Sequence, residues 1–328
     1  MRVVAYSIKV FEKEFLAKAN QKKHDITLIS NSLSLETVGY AEGKDAVVVF
    51  TNDDVSAAVV NKLAAMGIKY IATRSAGTDH IDKKTAAKRS IKVANVPTYS
   101  PQAIAEHAVA LALCLNRHLI HANGHSQEFD FTLNELIGFN FSGKTVGLIG
   151  LGNIGQAVAA IFNGFGCRVI GYDVAVPNEL VKIEPLSFDE VLRRSDIISL
   201  HVPLTPETKY MINASTLAIM KDGVMLINTS RGALIKTIDA LEALEKGKIG
   251  YLGLDVYEYE KGLFFEDHRH DQVKDPLLEK LMAHPNVMVT PHQAFLTKEA
   301  LQQIADQTIK NLDLWQQEKF MVITNHDS

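Results

Sequence analysis

TVGLIGLGNIGQAVAAIFNGFGCRVIGYD, residues 145–173, decides the fold. Val146 to Ile149 is an apolar run of buried-strand length, too short for a helix. Gly150-Leu151-Gly152-Asn153-Ile154-Gly155 follows, with glycines at dinucleotide-binding spacing. The first allows the tight turn, the second lets backbone approach a pyrophosphate, and the third lets helix pack on strand. The pattern predicts a helix over 154–165, its first amides placed to hold phosphates, stopped by Gly166. A second strand, 168–172, ends at Asp173. That acid lies 18 residues past Gly155, where a carboxylate should meet the adenosine ribose hydroxyls. A glycine turn alone can serve packing. The strand before, the helix after and the acid at the next strand end together make this a dinucleotide site. Val174, Ala175 and Val176 follow the acid with no Arg or Lys for a 2′-phosphate, which favours NAD over NADP.

The same rhythm continues on both sides. C-terminal to the turn, strands are expected at 196–201, 223–228, 249–256 and 286–290. Between them fall helices at 188–194, behind a Ser187–Glu190 capping box, and at 215–220, 238–246 and 277–283. N-terminal to it, β-type runs at 2–6, 26–29, 46–50, 69–73 and 92–95 alternate with helices at 11–20 and 55–66. Asp53 or Asp54 is the expected cap of the second of these helices. Strands alternating with helices imply parallel βαβ units, and 328 residues exceed what one core usually serves. The expectation is an α/β protein of two domains. Ser100 and Pro101 suit the N-cap and N1 positions of a helix reaching about 118. It is apolar on most of its circumference, as a helix buried between layers or against another subunit would be. Thr297 should cap a last helix running to about 319.

Composition excludes several classes. At 47% hydrophobic and 22% charged, the chain reads as an ordinary globular protein. A net charge of −4 without a basic stripe argues against a nucleic-acid partner. The stretch MRVVAYSIKVFEKEF carries charges where a signal peptide needs an apolar centre, and the apolar run 108–115 is far too short to span a bilayer. Cys114 and Cys167 read as buried thiols in a reducing compartment rather than a disulfide framework. A cytoplasmic protein without a membrane partner is expected.

Ligands of an open parallel sheet bind outside the carboxyl ends of its strands. Arg231, Glu260 and His292 each follow one of the expected strands there. Reducing a 2-keto acid needs a cation for the substrate carboxylate and carbonyl, and a proton for the developing alkoxide. Arg231 offers a planar, permanently charged fork. His292 carries the ring whose ordinary pKa lies near working pH, and Glu260 would orient that ring and favour its charged form by proximity. Run backwards, the same His accepts the hydroxyl proton. Two histidine groups, 267–271 and His118, His121 and His125, invite a metal reading. An intervening Arg in the first and a helix-weakening Gly124 in the second argue for solvated cations, and no metal is expected.

Five motifs carry a resemblance to the D-2-hydroxyacid dehydrogenases over essentially the whole chain, most of all to their fermentative D-lactate branch. They are GLIGLGNIG from Gly147, LHVPLTPET from Leu200, NTSRGALI from Asn228, LDVYEYE from Leu254 with LFFED from Leu263, and PHQAFLT from Pro291. The resemblance implies two doubly wound parallel-sheet domains. A Rossmann NAD-binding domain, 101–296, would be inserted in a flavodoxin-like substrate domain, 1–100 plus 297–328. It implies reversible hydride transfer between NADH and pyruvate giving D-lactate, with Arg231, Glu260 and His292 catalytic. NAD contacts would come from Gly150, Gly152, Asn153, Ile154, Gly155, Asp173, His201, Val202, Pro203, Thr229 and Ser230, with Asp255 positioning the cofactor. The loop at Ser75, Ala76 and Gly77 resembles the family's substrate-carboxylate cradle, and Tyr99 and Phe295 its pocket walls. His80 stands where relatives often carry Asn. A homo-oligomer, dimer or tetramer, is expected. Two other readings fit: the same chemistry on a bulkier acid such as 2-ketoisocaproate or phenylpyruvate, and an NAD-sensing binding protein related to co-repressors of this fold.

Overall fold

A computed structural model describes residues 1–179, 182–271 and 274–324, side chains of 319–324 excepted. The chain forms two compact units, Met1–Ser100 with Leu296–Ser328, and Pro101–Phe295. Of the expected segments, 325–328 in the tail and 272–273 in the loop before the 277–283 helix lie outside the described residues.

The first unit holds β1 (Arg2–Ala5), α1 (Lys13–Asn20), β2 (Asp25–Leu28), β3 (Ala46–Val49), α2 (Ala57–Ala65), β4 (Tyr70–Thr73), α3 (Lys83–Lys88) and β5 (Lys92–Ala94). Its five strands are all parallel, in the order β2-β1-β3-β4-β5. Both faces are apolar because both are covered. Along β3, Val47 and Val49 pack toward Val59, Val60 and Leu63 of α2. Ala46 and Val48 face Leu16 of α1 and Ile309, Leu312 and Trp315 of the C-terminal helix, Lys298–Thr324. Trp315 stacks on Tyr70 at 4.8 Å, docking that helix on the sheet.

The second unit begins with α4 (Pro101–Asn116) and α5 (Leu119–Gln127). Its strands are β6 (Thr145–Ile149), β7 (Arg168–Tyr172), β8 (Glu184–Pro185), β9 (Ile197–Leu200), β10 (Val224–Asn228), β11 (Ile249–Leu254) and β12 (Val287–Val289). The helices among them are α6 (Asn153–Gly164), α7 (Phe188–Arg194), α8 (Ala214–Ile219), α9 (Thr237–Glu245) and α10 (Pro276–Ala283). The parallel order β12-β11-β10-β9-β6-β7-β8 reverses direction at β6, so the glycine turn leaves the sheet at its topological switch point. Each unit is thus a doubly wound parallel α/β sheet. On one face α4 and α6 bury Leu111, Leu115, Val158 and Phe162 against Val146, Leu148 and Ile227.

Differences from the sequence reading have local causes. Ser56, not Asp53 or Asp54, occupies the N-cap of α2. Asp53 is buried instead, accepting the amides of Phe50 and Leu33 at 2.6 Å and the Ser7 hydroxyl at 2.7 Å. The Asp82-capped α3, the helix α5 and the two-residue β8 were not anticipated. The apolar helix ends at Asn116, and His118, at φ +49, breaks the chain into α5. Among the described residues no single helix is long and apolar enough to cross a membrane; only α4 and α5 together, bent by 59°, reach that length, and the apolar face of α4 is spent on the sheet and α6.

Candidate active site

Everything follows from the carboxyl edge of the seven-stranded sheet. Gly150 has φ +100, and a Cβ there would lie 2.4 Å from the His201 carbonyl oxygen; at Gly155 it would lie 2.0 Å from the carbonyl oxygen of Gly150. Both positions are taken up by the chain's own packing. Gly152, the N-cap of α6, has nothing within 4 Å of that point. The middle glycine therefore presents bare backbone beside first-turn amides that have no acceptor within the helix. Asp173 is drawn to the same turn, its Oδ2 accepting the Leu151 amide at 2.7 Å and its Oδ1 that of Ala175 at 3.0 Å.

His201 leaves β9 beneath this turn, its Nε2 2.9 Å from Ser199 Oγ. Its Nδ1 is buried without a partner, and burial lowers its pKa to about 4, so the ring is neutral. Thr229 Oγ1, past the end of β10, is likewise buried without a partner. These two polar atoms at the carboxyl edge, with the open backbone of Gly152, fit a polar ligand such as a dinucleotide. Val202 flanks Gly150, and the Pro203 carbonyl is held by Thr208 Oγ1 at 2.7 Å.

The loop after β10 is shaped by Asn228, which is fully buried. Its Oδ1 accepts the Ser230 amide at 3.0 Å and its Nδ2 donates to the Arg231 carbonyl at 2.9 Å, an Asx turn that no local pattern announced. Ser230 Oγ donates to Leu200 O at 2.8 Å, and Arg231 Nη1 to Ser230 O at 2.7 Å. At Gly232 a Cβ would stand 2.0 Å from Tyr257 C and 2.4 Å from Glu258 N, so this loop and the one after β11 touch backbone to backbone. Glu258 ties them further, accepting from Tyr210 Oη at 2.6 Å and the Thr237 amide at 2.9 Å. Burial works against that carboxylate, but these bonds outweigh it and hold its pKa below the usual range.

Glu260 accepts the Tyr257 amide through Oε2 at 3.0 Å and faces His292 Nδ1 through Oε1 at 3.0 Å. An ionised carboxylate only accepts, so Nδ1 carries the hydrogen and Nε2 is left for chemistry. His292 sits at φ +54, in left-handed backbone uncommon for a residue with a side chain, and its ring lies 5.7 Å from that of Phe265. Asp255 explains how the turn is held. It is fully buried, with Oδ1 accepting from Thr290 Oγ1 at 2.5 Å and the Gln293 amide at 2.8 Å, and Oδ2 accepting the Ala294 amide at 2.8 Å. Its oxygens serve the turn carrying His292.

Arg231, Glu260 and His292 thus belong to one unit, as does the buried Phe295, while Ser75, Ala76, Gly77 and Tyr99 belong to the other. In that unit the 75–77 loop is fixed by Ser75 Oγ donating to Gly77 O at 2.7 Å and Asn95 Nδ2 donating to Ala76 O at 2.7 Å. Of the histidine groups, His268 pairs with Asp271 at 2.7 Å and Arg269 clamps Asp267 at 2.7 Å, while His118 and His121 stack at 6.4 Å. Both cysteines are free thiols, and burial pushes Cys167 up to about 11.

Comparison with known proteins gives one consistent answer. Residues 109–294 match the family described as D-isomer specific 2-hydroxyacid dehydrogenase, NAD binding domain. A D-lactate dehydrogenase of Escherichia coli is 42% identical, the match covering 95% of this chain and 96% of that one. The structure of the pyruvate reductase of Chlamydomonas reinhardtii superposes with a TM-score of 0.88 at 44% identity, covering 95% of each chain. That of the Aquifex aeolicus D-lactate dehydrogenase, complexed with NAD and lactic acid, superposes with a TM-score of 0.88 at 32% identity, covering 98% of each.

Proposed function

The chain belongs to the D-isomer specific 2-hydroxyacid dehydrogenases and is an NAD-dependent enzyme, and we propose that it interconverts pyruvate and D-lactate. Relatives named for lactate and pyruvate support that substrate pair. The observation that carries the chemistry is the Glu260–His292 pair at 3.0 Å, which leaves Nε2 of a held ring as proton donor. When bound, NADH supplies the hydride. Arg231 binds the substrate carboxylate and polarises the carbonyl, and His292 Nε2–H protonates the oxygen as the alkoxide forms. Glu260 holds the ring through Nδ1 and stabilises its charged form. In the reverse direction His292 takes the hydroxyl proton. The backbone of Ser75, Ala76 and Gly77 is proposed to bind the carboxylate, with Tyr99 and Phe295 limiting the side chain accepted. Asp173 and the glycine turn hold the NAD, with His201, Val202, Pro203, Thr229 and Ser230 alongside. The compartment proposed is the cytoplasm.

The test is NADH oxidation with pyruvate, 2-ketobutyrate, 2-ketoisocaproate, phenylpyruvate and hydroxypyruvate, with product chirality determined. Pyruvate is expected to exceed phenylpyruvate in kcat/KM by about tenfold or more and to yield D-lactate. A preference for the bulky acids would keep the chemistry and overturn the substrate.

A homo-oligomer is proposed on separate grounds. The segment between α5 and β6 exposes Phe129, Phe131, Leu133 and Ile137, each at least 70% accessible, more apolar surface than one short loop leaves in water without a partner. Phe131→Ser with Leu133→Ser is expected to shift the mass in light scattering toward the monomer. A wild-type chain that is already monomeric would remove the proposal.

A further inference from the structure

The crossover helix α4 is apolar along most of its length, yet it carries one histidine, His107, whose side chain is only 18% exposed. Its Nε2 lies 3.0 Å from Thr290 Oγ1 and 3.3 Å from Asp255 Oδ1. Hydrogen-bond bookkeeping fixes the direction of this chain. Asp255 makes a 2.5 Å contact with Thr290 Oγ1 and, as a carboxylate, only accepts, so the Thr290 hydroxyl hydrogen goes to Asp255. Thr290 Oγ1 then has only lone pairs for its other neighbour, and His107 Nε2 must carry a hydrogen. The chain runs from His107 Nε2–H to Thr290 Oγ1–H to Asp255 Oδ1.

We propose that His107 is a positioning residue for His292, acting through Thr290 and Asp255. This rests on His292 being the proton donor. Asp255 holds the amides of Gln293 and Ala294, the two residues after His292, and the Thr290 carbonyl accepts the His292 amide at 2.9 Å. The donor therefore sits in a turn gripped on both sides by groups that His107 orders. Left-handed backbone at His292 needs such over-determination, because relaxation of the turn would swing the ring away from Glu260. Without His107 the buried Asp255 carboxylate would also lose the ring nitrogen 3.3 Å from its Oδ1. A histidine supplies a ring N–H at the required reach from a helix otherwise devoted to packing, and residues 107 and 290 are too far apart in sequence for any local pattern to link them.

The test compares His107→Phe, His107→Gln and Thr290→Val in the full-length enzyme. The readouts are kcat, the dissociation constant for NADH from its fluorescence, the thermal midpoint and the solvent deuterium isotope effect on single-turnover pyruvate reduction. A donor held out of line makes proton transfer harder, so His107→Phe and Thr290→Val should lower the single-turnover rate about tenfold or more and raise the isotope effect, with NADH affinity unchanged. His107→Gln, whose amide N–H can stand in for Nε2–H, should restore most of the rate. Loss of folded enzyme alone would scale the amplitude and leave the isotope effect where it was. If His107→Phe and Thr290→Val both reduce pyruvate with the wild-type rate and isotope effect, the inference fails. His292→Ala, run alongside, separates the two ideas: if it is inactive while they are normal, only the role of His107 falls, and if it is itself active, the donor assignment falls.

Discussion

Replacing His292 by Ala lowers kcat/KM for pyruvate by about 10³-fold with NADH binding unchanged within about twofold; this is the expected result if the ring is the only proton donor at the reacting oxygen. The size follows from the general-acid role, and the selectivity from where the ring sits. His292 hangs from a turn held by Asp255, apart from the glycine turn and Asp173, the groups proposed to hold the nucleotide. Glu260→Gln should cost less, about 10–10²-fold, because the amide can still accept from Nδ1 but no longer supports a charged ring. In the double variant the losses should fall well short of multiplying, since Glu260 acts through His292 at 3.0 Å and has nothing to support once the ring is gone. Steady-state and single-turnover kinetics on the three variants decide it. Near-normal turnover of His292→Ala would remove the donor role, and fully multiplicative losses would show Glu260 acting independently of the ring.

What was legible in the sequence is what short-range patterns encode. The Ser187–Glu190 capping box stands as expected, with Ser187 Oγ accepting the Glu190 amide and Glu190 reaching back to the Ser187 amide. The strand expected at 168–172 has those bounds in the structure, because Gly166 and Asp173 punctuate it on both sides. The carboxyl-edge rule placed Arg231, Glu260 and His292 on successive loops of one sheet. Residues whose partners are distant were misread or missed. Asp53 looks like a helix cap because acids before helices usually are. It is drawn inward by Ser7 and Leu33, 46 and 20 residues away. Asn228 and Glu258 lie inside motifs whose local pattern assigns them no role, since the carbonyl and hydroxyl they bind come near only once the loops are folded. His107 stands in no motif, as one of a few polar residues in a largely apolar helix. A histidine in such a helix is itself the signal, because a half-buried ring needs a partner.

Gly232→Ala should be the most damaging single-methyl change at the edge of the sheet. Its Cβ would lie 2.0 Å from the Tyr257 carbonyl carbon, 2.1 Å from the carbonyl oxygen and 2.4 Å from the Glu258 amide nitrogen. All three are backbone atoms, so no side chain can rotate away and the two loops must part. One loop carries Arg231 and the other Glu260, and they are joined again at Glu258 through Tyr210 and Thr237. Parting them by even an ångström would break the second junction or bend both loops, at about 1–3 kcal/mol in stability and about 10²-fold in turnover. The loss should exceed what the fall in thermal midpoint explains, because Arg231 and Glu260 move relative to each other while the sheet beneath stays intact. Gly164→Ala is the control. It sits at the end of α6 with nothing within 4 Å of the added carbon, so it should leave turnover unchanged and stability level or slightly higher. Wild-type stability and turnover in Gly232→Ala would mean that the loops have slack between them, and that the distance between Arg231 and Glu260 is not set by their backbone contact.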